Sequence, residues 1–226
     1  MRIILFDIDG TLLSTGGAGL AALQEVFLET FALTDAVRGV DFFGRTDPHI
    51  LDQIAARWLK RRLTPEEFDT VTRGYAQRLP ARLQDTAEFR VLPGAAEVVA
   101  DLHRQGCVLG LATGNLEPTA YAKLRRAQLD GFFEFGGFGS DSSDRAELTR
   151  IAVERGRLRA APDTPAIVVG DTIHDVESAL AAGAECLAVA TGNADEVTLR
   201  AAGATWTAPG LDHPAAWEIL GVVGAR

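Results

Sequence analysis

The chain holds only two cysteines, two lysines and one methionine in 226 residues. Cys107 and Cys186 lie in short apolar stretches, Cys107-Val108-Leu109 and Cys186-Leu187-Ala188-Val189, where a free thiol behaves as a small hydrophobe. They build neither a disulfide framework nor a zinc-ligand spacing. Long apolar runs are also missing. The longest charge-free stretch, Gly10 to Gln24, is broken by four glycines and falls short of the roughly 20 apolar residues of a membrane span. Ile3 to Phe6, ahead of Asp7, is too short for a secretory hydrophobic segment. Bases are in deficit, 22 against 31 acids, for a formal charge of -9 and a pI near 4.9. That is the wrong sign for a surface that grips nucleic acid. No internal repeat, low-complexity tract or long charge block is present. These absences lead us to expect a soluble, cytoplasmic protein with no nucleic-acid or membrane partner; its oligomeric state is not legible.

What remains is ordinary globular material, 47% hydrophobic and 23% charged, about 1.5 times a typical domain of roughly 150 residues. Ile3–Phe6, Val108–Ala112, Ala166–Val169 and Leu187–Ala190 are continuous apolar runs, the pattern of strands covered on both faces. Helical patterns alternate with them at Ala95–Gln105, Glu117–Ala127, Ala146–Arg155 and Thr172–Ala182, with Gly106 and Gly183 placed as helix-terminating glycines. This predicts an α/β fold, a Rossmann-like parallel sheet with helices on both faces. Between about Thr15 and Asp85 no strand is evident, only helical segments at Leu20–Phe31, Asp47–Lys60 and Pro65–Leu83. Asp47 and Thr64 read as caps, Pro48 and Pro65 as first-turn prolines, and Pro80 as a kink or end. The expected organisation is a catalytic core of 1–14 and 86–226 interrupted by a helical cap of 15–85, hinged at Gly16-Gly17 and Thr86–Leu92.

Acidic pairs stand at two strand ends. Asp7 and Asp9, in Phe6-Asp7-Ile8-Asp9-Gly10-Thr11, point the same way on extended chain at the carboxyl end of the first strand, where open α/β sheets bind ligands. Asp171 and Asp175, in Gly170-Asp171-Thr172-Ile173-His174-Asp175, follow another strand, and an N-terminal helical turn brings Asp175 over the same sheet end. Turn formation or helix capping would explain either pair alone. Four carboxylates converging on one crevice call for a cation; oxygen-only ligands favour a hard ion, foremost Mg²⁺, held by Asp7, Asp9, Asp171 and Asp175. Thr113-Gly114-Asn115, between a strand and a helix, offers a hydroxyl, flexible backbone and helix N-terminal amides to a phosphate. Arg145, taken alone, is an ordinary arginine at a loop-to-helix boundary.

The ordered set Asp7-x-Asp9-Gly10-Thr11, Thr113, Arg145 and Gly170-Asp171-x-x-x-Asp175 resembles the haloacid dehalogenase-like hydrolases, specifically their phosphoglycolate-phosphatase-like branch with a helical cap inserted after the first motif. The resemblance covers essentially the whole chain. It implies Asp7 as nucleophile, Asp9 as acid/base, Thr113 and Arg145 as phosphate clamps, Asp171 and Asp175 as metal acids and Mg²⁺ as cofactor. The third motif of the family usually supplies a lysine; Lys60 and Lys123 both read as misplaced, and Arg145 stands in that position with a fork suited to phosphate oxygens. The expected activity is Mg²⁺-dependent hydrolysis of a small phosphorylated metabolite, phosphoglycolate-like or a sugar phosphate, through an aspartyl-phosphate. Asp9 argues for phosphate rather than dehalogenase chemistry, because an alkoxide leaving group needs a proton. The alternatives are a phosphoglucomutase-like phosphotransferase and a catalytically silent binding protein. In the cap segment, Arg45 is a candidate for the far end of a substrate, against the plainer reading of a surface arginine packed over Phe43. His174 is expected to face solvent, His49, His103 and His213 have no nameable partner, and Trp58, Trp206 and Trp217 read as packing residues.

Overall fold

A computed structural model describes residues 2–223. Six strands form one parallel sheet in the order β5-β4-β1-β6-β7-β8: β1 (Ile3–Phe6), β4 (Val108–Ala112), β5 (Gly136–Gly137), β6 (Ala166–Gly170), β7 (Glu185–Val189) and β8 (Trp206–Ala208). Central β1 pairs with β4 and β6, Phe6 lying opposite Leu111 and Val169, so the ends of these three strands lie side by side. Alternate residues of each strand feed two separate cores, which is why the runs are continuously apolar. Ile4, Phe6, Leu111, Ile167 and Val169 pack under α4 (Ala95–Arg104), α5 (Glu117–Ala127) and α9 (Pro214–Leu220). Ile3, Leu5, Val168, Cys186 and Ala188 pack under α6 (Arg145–Arg157), α7 (Ile173–Ala181) and α8 (Glu196–Ala201). The expected α/β sheet covered on both faces is the observed one. Gly106 and Gly183 take positive φ beyond α4 and α7, as helix-terminating glycines do.

Three helices lie between β1 and α4: α1 (Ala18–Phe31), α2 (Asp47–Ile54), which runs into a π-helical turn at Ala55–Leu59, and α3 (Pro65–Asp85). They share a core of their own, with Phe27 and Val26 of α1, Leu51 and Ile54 of α2 and Val71, Leu79 and Leu83 of α3, closed against Leu116 and Ala122 of the α5 region. The chain enters and leaves this helical stretch through a short antiparallel pair, β2 (Leu13–Ser14) with β3 (Arg90–Val91).

Three local expectations are corrected. Thr46, not Asp47, caps α2: its hydroxyl accepts the His49 N–H, and Asp47 is the first helical residue. Of the two expectations for Pro80, a kink or an end, the end is excluded, because α3 continues past it to Asp85. Pro80 is exposed, while Leu79 and Leu83 are buried in the helical core. Trp206 and Trp217 pack against the sheet core as expected, whereas Trp58 is exposed and lies in no core cluster; the indole N–H groups of Trp58 and Trp217 donate to the carbonyls of Ala36 and Leu211. Among the described residues no helix is long and apolar enough to cross a membrane.

If the helical core is an independent source of stability, Phe27→Ala should cost about 3–5 kcal/mol in urea unfolding, whereas truncation of exposed Leu158 should stay within about 0.5 kcal/mol.

Candidate active site

The chain turns sharply after β1. The Ile8 carbonyl accepts the N–H groups of Thr11, Leu12 and Leu13, and Gly10 takes φ +84°, with a Cβ there falling 2.4 Å from an Asp171 carboxylate oxygen. Only glycine satisfies both the backbone and the space, so the turn carries Asp7 and Asp9 into contact distance of the β6 end. Asp171 accepts the Thr11 hydroxyl at 2.8 Å across the same gap. Asp7, Asp9, Thr113, Gly114, Asn115, Lys123, Arg145 and Asp171 all line one cavity of about 570 Å³, roofed by Leu20, Leu23, Phe42, Arg45, Ile50 and Tyr75 of the helical unit.

Asp7, Asp171 and Asp175, all buried, present carboxylate oxygens within 4.8 Å of one another. Burial is the leading cause of the perturbed titration of Asp7 and Asp171. It pushes Asp7 up to about 6, against the pull of Arg145, and Asp171 up to about 8, with Asp175 and Asp7 adding repulsion. Arg145 answers this crowding. Its guanidinium lies 3.1 Å from Asp7 and 2.5 Å from Asp175. Burial opposes its charge, but Asp175 and Asp7 outweigh that and raise its pKa further.

The three acids are not equivalent. Asp175 Oδ2 accepts the Asp171 and Thr172 N–H groups and the Thr172 hydroxyl, and Oδ1 takes Arg145. It is the third residue of a capping box on α7, and both of its oxygens are engaged. Asp7 and Asp171 have fewer partners and fit the oxygen donors of a hard divalent cation. Asp9 does not join this group.

Instead, Asp9 Oδ2 accepts Lys123 Nζ at 2.6 Å and Asn115 Nδ2 at 2.8 Å. Two sequence expectations change here. Lys123, read as misplaced, lies on α5 at 4% exposure with its ammonium in the cavity wall. Asn115, expected on phosphate, spends its carboxamide on Asp9, Thr113 and Lys123. A signal for Lys123 was present: Leu116, Thr119, Ala120 and Leu124 are buried on the same face, so this lysine interrupts an apolar helical stripe. Thr113 Oγ1 accepts from Asn115, leaving its own proton for another acceptor.

The helical unit closes directly on this centre. Asp47 N–H donates to the Gly114 carbonyl at 2.7 Å, and its carboxylate accepts Leu116 N–H and the Thr119 hydroxyl. Gly114 is required by this approach, because a Cβ there would lie 2.7 Å from the Arg45 carbonyl. Arg45 lines the cavity, but its guanidinium pairs with Asp41 at 3.1 Å. His174 keeps 35% of its side chain exposed, 3.6 Å from Glu177, with its inner edge beside Gly44 of the helical unit.

Residues 4–189 match the haloacid dehalogenase-like hydrolase family, and the chain belongs to it. It is 28% identical over 198 residues to a phosphoglycolate phosphatase of Pseudomonas fluorescens, covering 84% of this chain and 70% of that protein. It is 26% identical over 192 residues to tyrosine-protein kinase PtkA of Mycobacterium tuberculosis, covering 84% of this chain but spanning only 62% of that protein's length. The crystal structure of CbbY from Rhodobacter sphaeroides, in complex with phosphate, shares the fold at a TM-score of 0.69 with 23% identity, covering 94% of this chain and 96% of that one.

The folded chain binds protons at Asp7 and Asp171 more tightly than the unfolded chain, where they titrate near the ordinary 3.8. Stability without metal is therefore lost as pH rises from about 4 through about 6 and 8. In EDTA, Tm should fall between pH 5 and pH 8.5, Mg²⁺ should raise it more at the higher pH, and Asp171→Asn should flatten the metal-free profile. A metal-free Tm that rises across this range would contradict the reading.

Proposed function

We propose that this hydrolase is a Mg²⁺-dependent phosphatase that cleaves a small phosphorylated metabolite, phosphoglycolate-like or a sugar phosphate, through an aspartyl-phosphate on Asp7. One observation carries the reading. Two carboxylates placed two residues apart face one cavity in different surroundings, Asp7 against Arg145 and Asp171, Asp9 against Lys123 and Asn115. Paired carboxylates given different environments take different roles.

Asp7 is the nucleophile: its carboxylate attacks phosphorus in line with the departing oxygen. Asp9 gives its proton to that oxygen and later takes one from the water that hydrolyses the acyl phosphate. Thr113 donates its free hydroxyl proton to a phosphoryl oxygen, beside the backbone of Gly114. Arg145 spreads its charge over Asp7 and the transferring group. Asp7 and Asp171 would hold Mg²⁺, with Asp175 fixing Arg145 behind them. The ion would supply positive charge to the nucleophile and the phosphoryl oxygens. Arg45, at the wall of the cavity, is the residue of the helical unit assigned to the non-reacting end of the substrate. The phosphatase-named relative and the family membership support this assignment of reaction class.

Release of inorganic phosphate from a panel of phosphorylated metabolites, with Mg²⁺ and with EDTA, tests it. Asp7→Asn should reduce turnover on the order of 10⁴-fold or more. Turnover comparable with wild type would remove Asp7 from the mechanism. Phosphate release that needs no bisphosphate activator separates hydrolysis from phosphoglucomutase-like transfer, and a complete lack of turnover would favour a silent binding protein.

A further inference from the structure

We propose that Lys123 is a positioning residue for Asp9: it fixes which of the two carboxyl oxygens carries the proton to the leaving group. This rests on the phosphatase reading and adds to it a residue outside the four acidic and phosphate-binding motifs.

A lysine on the buried face of α5 carries a desolvation cost, and an apolar side chain of similar volume would serve packing as well or better. Its surroundings account for its presence. Nζ donates to Asp9 Oδ2 and to Asn115 Oδ1, and Asn115 Nδ2 donates to the same Asp9 oxygen. Asp9 Oδ2 thus accepts two N–H donors. An oxygen in that position cannot also bear a proton directed into the cavity. Oδ1, which has no hydrogen-bond partner among the described residues, is left as the oxygen that holds it. In the transfer step the Asp7–phosphorus bond forms, the phosphorus–oxygen bond of the ester breaks, and the proton on Asp9 Oδ1 moves to the departing oxygen. Lys123 neither gives nor takes a proton. It prevents rotation of the Asp9 carboxyl, so the acidic oxygen stays on the cavity side. Asp47, at the start of α2, holds Leu116 and Thr119 at the start of α5, which fixes the helix bearing Lys123.

The test compares kcat/KM, which reports steps only through transfer to Asp7, on an alkyl and an aryl ester. Phosphoglycolate and glucose 6-phosphate release alkoxides that need the proton; p-nitrophenyl phosphate releases a stable phenolate that does not. Lys123→Met should lower kcat/KM on the alkyl esters by about 10- to 100-fold, part of the usual worth of a general acid, and on the aryl ester by less than about threefold. Lys123→Arg should recover part of the loss. Combined with Asp9→Asn, Lys123→Met should cost nothing further, because residues acting through one another are non-additive. Equal losses on both ester classes, or a full extra loss in the Asp9→Asn background, would overturn the proposal. Should Lys123→Met fail to fold, Lys123→Gln and Lys123→Arg carry the same comparison. A wild-type chain inactive on all three esters would instead defeat the phosphatase reading beneath it.

Discussion

Three buried carboxylates held within reach of one another is the constraint on which the rest of the structure turns. Like charges in a desolvated pocket repel and bind protons, so such a cluster persists only where the fold enforces it and a cation relieves it. The enforcement is visible in the sheet: β1 and β6 are direct neighbours, and the Gly10 turn brings the Asp7 and Asp171 carboxylates across the seam between them. Relief comes first from Arg145, presented by the first residue of α6. Its ion pairs with Asp7 and Asp175 are nearly dry, and ion pairs of this kind are retained more for placement than for stability.

Arg145 does not neutralise the cluster alone, since three acids share one guanidinium. The surplus negative charge is what makes a divalent cation a physical complement to the site, in a chain of formal charge -9. Net charge describes the whole surface. The cavity is governed by a few charges at contact range, where the effective dielectric is low. Lys123 and Arg145 are the two buried cations in that wall, each matched to a different member of the Asp7/Asp9 pair. This division gives two chemically identical side chains, two residues apart, different surroundings.

The sheet was legible because burial on both faces leaves an unbroken apolar run, as in Ile3–Phe6 and Ala166–Gly170. Strands of two or three residues such as β2, β3, β5 and β8 leave no such trace, for their pairing is decided by neighbours far away in sequence. The acidic pairs were legible because strand ends fix direction. Lys123 left a fainter trace, the interruption of an apolar helical stripe, which marks its face of the helix as buried but not which carboxylate that face meets. Cβ atoms tilt toward a helix N-terminus, and α5 begins just after the Thr113-Gly114-Asn115 loop, so a residue two turns along reaches back into the site. The misjudged roles of Thr46 and Asp47 differ by one residue only. Both are good caps, and the choice was made by tertiary contacts: Asp47 is drawn to the amides of the core loop, leaving the cap to Thr46.

The paired β2 and β3 strands have an evolutionary reading. Ser14 and Arg90 lie opposite each other, so the polypeptide departs from the sheet and returns to it at a single place. Closing a loop grows costlier only logarithmically with its length, so almost any helical excursion could be spliced between these two points at little expense to the catalytic half. The roof of the cavity can therefore vary in length and sequence without altering the register of the sheet below, provided that a residue in the place of Asp47 still anchors the start of α5.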